Sequence, residues 1–146
     1  MASSLVDLIE RVYDDFADNQ LNASYFRKRA IISPTNVDTD EVNECVAAMS
    51  KEKQEEYLSE DTAIEGEEMD IQTSVFNGMR SPGLPPHKLK LKVGAVVMVV
   101  WNISPPKICN GTRVMVTNLR KHLIVGKILG GVCDGEQISQ YRRTFY

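Results

Sequence analysis

Residues 83–102 read GLPPHKLKLKVGAVVMVVWN, and their periodicity decides the fold class. Leu89, Leu91 and Val93 alternate with Lys88, Lys90 and Lys92. A period of two places the apolar set on one face of a strand and the lysines on the other. Gly94 allows a bend, and residues 96–101 continue as an apolar strand expected to be covered on both faces. Upstream, Gly78, Pro82, Gly83, Pro85 and Pro86 make a breaker-rich hinge, so a module boundary is expected near residue 86. Downstream, Asn110-Gly111 and Asp134-Gly135 are turn signals. Residues 112–119 and 122–129 read as β-runs joined at 118–121, with a last strand near Ile138. Four or five short strands in so short a span suggest a small barrel or rolled sheet.

The first part of the chain has a different pattern. Leu5, Leu8, Ile9, Val12 and Phe16 have helical spacing, and Ser4 with Asp7 is a capping-box-like start, predicting an amphipathic helix over 4–16. A polar stretch, 18–24, ends it. Ala30-Ile31-Ile32-Ser33, stopped by Pro34, fits a buried strand of a parallel sheet. A helix over 37–49 follows, with Asp38, Asp40 and Glu41 at its positive end and Val42, Cys45, Val46 and Met49 as its apolar stripe. Strand, polar turn and helix are half of a βαβ unit, which cannot close a sheet alone. Residues 50–70 carry nine acids and two lysines and read as an exposed linker with little order of its own.

Charge follows the same division. The chain of 146 residues has a net charge of -3, but residues 1–86 hold 7 Lys/Arg against 18 Asp/Glu, and residues 87–146 hold 10 against 2. A mildly acidic average thus conceals a basic second part that could meet an anionic partner. Hydrophobic content of 42% and charged content of 25% are globular values and argue against wholesale disorder. The longest apolar run, 95–101, is far short of the roughly 20 residues that span a bilayer, so no membrane partner is expected. Cys45, Cys109 and Cys133 are odd in number and lack CxxC spacing, as expected of reduced thiols in an intracellular protein. His87 and His122 belong to no His/Cys cluster, so no metal site is expected. No catalytic residue is assigned. GxSxG and HExxH are absent, and GKILGG at 126–131 lacks the spacing and the Ser/Thr of a triphosphate loop.

Three groups could touch a ligand. Lys88, Lys90 and Lys92 lie on one strand face about 6.6 Å apart, a spacing suited to successive phosphates of an extended single strand. A lysine-rich edge that resists aggregation has the same pattern. Thr35 and Asn36 stand where a strand end opens into a helix N-terminus, which is either an anion site or a simple cap. Asn110, Thr112 and Arg113 lie beside Trp101 and Lys107. An aromatic near a basic loop can stack a base, although one Trp in an apolar strand more often joins the core.

Four segments together resemble a known family: RAIISPTN at 29–36 continuing VDTDEVN, EYLSED at 56–61, GLPPHKLKLKVGA at 83–95, and CNGTR at 109–113. Their order and spacing resemble the C-terminal region of PIF-type ATP-dependent DNA helicases, in the branch carried by Helitron transposons, over about 5–131. The resemblance implies a 5′-to-3′ helicase with ATP and Mg2+ bound between two RecA-like domains, neither of them held by this chain. It implies an α+β chain with a partial RecA-like motor piece over 1–50, an acidic linker or insertion over 51–82, and a small Src-homology-3-like β-barrel over 83–146. Thr35 and Asn36 would then touch DNA backbone phosphates, and the barrel would help guide DNA. Weak single-stranded DNA binding, contact with missing motor segments, and a nuclear location in a eukaryote are implied too, as are the family's roles in DNA repair, recombination and telomere maintenance. The tail over 135–146 departs from the barrel-closing strand of the family, and the motor is incomplete, so a helicase fragment or transposon remnant without ATPase motifs is the expectation. The competing reading is a non-catalytic barrel that binds a protein segment, with the acidic 52–70 run masking the basic face.

Overall fold

The computed structural model describes residues 2–58 and 88–141. The expected hinge, the boundary near residue 86 and most of the acidic run lie outside the described residues. Four helices come first: α1 (Ala2–Val12), α2 (Phe16–Asn19), α3 (Ala23–Arg27) and α4 (Asn36–Met49). Six strands follow: β1 (Gln54–Leu58), β2 (Lys88–Lys92), β3 (Val96–Met98), β4 (Arg113–Leu119), β5 (Leu123–Leu129) and β6 (Gln137–Tyr141).

The helix predicted over 4–16 starts earlier and stops at Val12. Asp15 takes a left-handed φ of 54°, which a continuing right-handed helix cannot accommodate. The polar stretch after it folds as two short helices, the second capped by Asn22, whose side chain accepts from the Ser24 N–H at 3.1 Å. These turns gather aromatic rings. Phe16 and Phe26 meet edge to face at 6.2 Å, and Tyr25 and Phe26 at 5.1 Å. Helix α4 matches the expected 37–49 within one residue.

The parallel strand expected at 30–33 does not form. These residues join no ladder, and Ile32 is 93% exposed. A parallel strand needs hydrogen-bonded neighbours and covered faces, and every ladder among the described residues is antiparallel. The α+β class holds, but no RecA-like parallel sheet is present among the described residues.

The strands make two open antiparallel sheets, β1-β2 and β3-β4-β5-β6. Among the described residues the expected Src-homology-3-like barrel is not closed by these ladders, since β3 and β6, the two end strands of the larger sheet, do not pair. Strand β3 is also shorter than the predicted 96–101 run, and Met98 and Trp101 are 39% and 53% exposed rather than covered. The sheets meet at the β2–β3 turn. The Gly94 N–H donates to the Val116 carbonyl at 2.7 Å, and the Val116 N–H donates to the Ala95 carbonyl at 2.8 Å.

Strand β1 lies in the acidic stretch where little order was expected. It pairs with β2 from Gln54↔Lys92 to Leu58↔Lys88. Its alternation is QEEYL, so Tyr57 can point inward while Glu56 points out. Tyr57 is buried, and its hydroxyl donates to the Arg120 carbonyl at 2.7 Å in the β4–β5 turn. One core cluster holds Tyr57, Leu89, Leu91, Val97, Val99, Val114, Val116, Ile124, Ile128, Cys133 and Ile138. Burial pushes the Cys133 thiol above its ordinary value, aided by Glu136, so this thiol is a packing group. The second cluster joins Met115 and Leu129 to Phe16, Tyr25 and Phe26 of the helices.

Two contacts give measurable expectations. Gly94 has φ +90°, and a side chain there would run into the Gln20 carbonyl oxygen, whereas Gly111 has φ +95° with open space around it. Gly111→Ala should therefore cost only the left-handed strain of about 1–2 kcal/mol, and Gly94→Ala distinctly more, read as denaturant midpoints; equal losses would count against the Gln20 contact. Asp134 accepts from the Gly130 N–H at 2.7 Å and from Arg27 Nε at 2.8 Å. The Gly130 N–H, followed by the Arg27 guanidinium, holds this carboxyl below its ordinary value despite partial desolvation. Its stabilising contribution is complete above the unfolded carboxylate value and is lost as pH falls through the lowered folded one. Stability against pH below about pH 4 should fall less steeply in Asp134→Asn than in the parent chain.

Candidate nucleic-acid interface

Strand β2 realises the expected alternation. Leu89 and Leu91 are buried, and Lys88 and Lys90 are exposed. The three lysines share one strand face but do different work. Lys92 Nζ donates to the carbonyls of Ala47 at 2.8 Å and Ser50 at 3.0 Å. Those carbonyls end α4, where the helix dipole is negative, and the Ala47 carbonyl also accepts from the Ser50 N–H at 3.2 Å. Lys92 is thus a C-terminal clasp for α4. Lys88 Nζ lies 3.7 Å from Glu56 Oε1, and Glu56 stands opposite Lys90 in the ladder. An acidic strand therefore flanks the basic one. The pair is well exposed and worth little to stability, but its carboxylate competes with any phosphate approaching this face.

Thr35 is the N-cap of α4. Its Oγ1 accepts from the Asp38 N–H at 3.2 Å and donates to Asp38 Oδ2 at 2.6 Å. The Asp38 carboxylate occupies the first turn, where an anion would sit. Asn36 is the first residue of the helix and is exposed.

Between β3 and β4 the chain makes an excursion, tied at its base by Val99 N–H to Thr112 carbonyl and Gly111 N–H to Val99 carbonyl, both 2.8 Å. Near its tip Ser104 and Ile108 form an antiparallel bridge. The Asn110 N–H donates to Asn102 Oδ1 at 3.0 Å, and Thr112 Oγ1 accepts from the Cys109 N–H at 3.2 Å. The CNGTR string thus builds the turn that the Asn-Gly signal predicted. Arg113 leaves this loop. Its Nη2 donates to the Arg29 carbonyl at 2.9 Å, fastening β4 to the chain after α3. Arg29 in turn lies 4.1 Å over the Tyr25 ring and pairs with Asp14 at 3.1 Å.

The structure thus distributes the eight predicted residues. Lys88 and Lys90 share an exposed face, Asn110 lies on the excursion, and Asn36 stands apart on α4. The polar groups of Thr35, Lys92, Thr112 and Arg113 are engaged within the fold. Two features escaped sequence reasoning: the acidic partner strand, which the QEEYL alternation could have signalled, and the exposure of Trp101. No group of His, Cys, Asp and Glu able to hold a metal occurs among the described residues. None of their helices is long and apolar enough to cross a membrane. The GKILGG segment does not fit ATP. Its first four residues lie inside β5, and a side chain at Gly126 would meet Val114 and the Met115 carbonyl, so this glycine serves strand packing rather than a phosphate loop.

Comparison with known proteins places the geometry. Residues 75–119 match the family model of the DNA helicase Pif1 2B domain. No curated protein matches the sequence. Among solved structures, the Pif1 helicase of Candida albicans is similar at 20% identity with a TM-score of 0.50, covering 95% of this chain and 37% of that one. A Bacteroides Pif1 double mutant is similar at 20% identity with a TM-score of 0.51, covering 97% of this chain and 27% of that one. The resemblance to PIF-type helicases is borne out, in sequence over 75–119 and in fold over nearly the whole chain. The chain spans about a third of the length of these helicases.

The division of labour among the lysines is testable by stability alone. Lys92→Ala should lower unfolding free energy by about 1–3 kcal/mol, the worth of charged hydrogen bonds to helix-end carbonyls. Lys90→Ala should change it by less than about 0.5 kcal/mol. Urea denaturation of both variants decides the matter, and equal effects would remove the clasp.

Proposed function

We propose that this chain is a portion of a PIF-type, ATP-dependent 5′-to-3′ DNA helicase, contributing single-stranded DNA contacts and holding no ATPase motif of its own. The observation that carries this reading is the 2B-domain match over 75–119, which includes the strand presenting Lys88 and Lys90 to solvent. ATP and Mg2+ belong to motor segments elsewhere in such an enzyme. An intracellular setting, nuclear in a eukaryote, goes with the reading. So does a division into a motor-side part over 1–50, an acidic connection over 51–82 and a 2B part over 83–146.

Chemically, the lysine face would act as an electrostatic track. Ammonium groups on alternate residues follow phosphates without reading bases, so binding is sequence-tolerant and falls steeply with salt. Glu56 tempers that track. A second reading, a basic face offered to an acidic protein segment, draws on the same Glu56–Lys88 proximity, since one carboxylate strand already lies there.

The experiment is a titration of labelled single-stranded oligonucleotide at several salt concentrations. The parent chain should bind weakly. Lys88→Glu with Lys90→Glu should abolish most of that binding. Replacing both by Gln should make the slope of log affinity on log salt shallower by about 1.4, or about 0.7 per lost phosphate contact. Glu56→Gln should tighten binding about two- to threefold by removing a competing carboxylate, while sparing Tyr57, which deletion of the acidic run would take from the core. Absence of DNA binding in both the parent and Glu56→Gln, with capture of an acidic peptide instead, would favour the protein-binding reading. ATP turnover should stay at background with or without DNA.

A further inference from the structure

Trp101 is the sole tryptophan of the chain. Its place at the end of an apolar run predicts burial, yet it is 53% exposed, and Met98 and Ile103 on either side are 39% and 36% exposed. The exposure is built into the backbone. Strand β3 ends at Met98, and the excursion that carries Trp101 is closed at its base by the two Val99 hydrogen bonds. Its tip is closed by Ser104 and Ile108, which exchange N–H donations at 2.8 and 2.9 Å. Asn102, next to Trp101, receives the Asn110 N–H across the loop. The ring is therefore carried on a braced hairpin, and its presentation costs little ordering on binding.

We propose that Trp101 is a stacking platform for an unpaired base of single-stranded DNA, with Lys107 of the same loop holding an adjoining phosphate. The proposal rests on the single-stranded DNA reading above and adds a base contact to it. Charge selects this occupant. Lys107 and Asn110 are exposed on the same loop, and residues 87–146 carry ten cations against two acids, a charge balance that attracts phosphate. A flat ring on a loop that also carries a cation can hold bases without sequence preference, because every base has a π-face.

Because no other tryptophan contributes, fluorescence excited at the red edge, where the five tyrosines do not absorb, reports this ring alone. Titration with oligothymidylate should quench it in step with binding followed by anisotropy of labelled DNA. Trp101→Ala should weaken binding about 5- to 100-fold, and Trp101→Phe should retain most of the affinity, both with unchanged circular dichroism. An oligonucleotide carrying abasic sites should bind the parent chain as weakly as oligothymidylate binds Trp101→Ala, and removing both ring and base should cost little more than removing either. Unchanged binding of oligothymidylate by Trp101→Ala, or equal affinity of the parent for abasic and intact strands, would overturn the stacking contact while leaving the lysine track standing. Failure of the parent chain to bind either strand would overturn the single-stranded DNA reading together with this one.

Discussion

Strand β4 is apolar on both faces, and the rest of the structure depends on satisfying both. Val114 and Val116 are fully buried against the core beneath β1 and β2, while Met115, between them, is buried against Phe16, Tyr25 and Phe26. A sheet with one solvated face needs apolar residues only at every second position. Two-sided burial obliges the helical part to lie across the sheet rather than hang from it. Leu129 on β5 repeats the device, and Arg113 adds a polar tie from the strand to the Arg29 carbonyl. Each buried methylene is worth about 0.8 kcal/mol, so the two faces of one strand supply much of what joins the modules.

The polar surface shows a contest between folding and recognition. A sequence pattern identifies cations but does not say whether their protons are already committed. Lys92, Arg113 and Thr112 spend theirs on backbone carbonyls or accept from nearby N–H groups. Lys90 is exposed, Lys88 faces the Glu56 carboxylate at 3.7 Å, and Glu56 keeps that face from being uniformly positive. On the proposed DNA reading, a basic face bordered by acid would favour exchange over tight capture.

The fold was partly legible in the sequence. Alternation at 88–92, the Asn-Gly and Asp-Gly turns and the helix over 37–49 are local signals, and local structure followed them. The errors were of another kind. Ala30-Ile31-Ile32-Ser33 has strand composition but joins no ladder among the described residues, so propensity alone did not make a strand. Residues 96–101 are uniformly apolar, yet hydrogen bonds between Val99 and both Thr112 and Gly111 turn the chain out after β3 and leave Trp101 half-exposed. Strand β1 is acidic because one of its faces looks outward, and an average over twenty residues hid the single inward Tyr57. The site was legible as residue types and illegible as commitments, since a hydrogen bond between residues 45 positions apart, such as Lys92 to Ala47, leaves no periodicity.

The pairing of Leu58 with Lys88 has a consequence for chain architecture. The two strands meet across a long interval of sequence, so their ladder is a long-range contact rather than a local hairpin. Closure entropy grows only with the logarithm of the intervening length, about 0.6 kcal/mol per doubling. What holds β1 in place is therefore its register on β2 and the Tyr57 anchor on the Arg120 carbonyl, and not nearness along the chain.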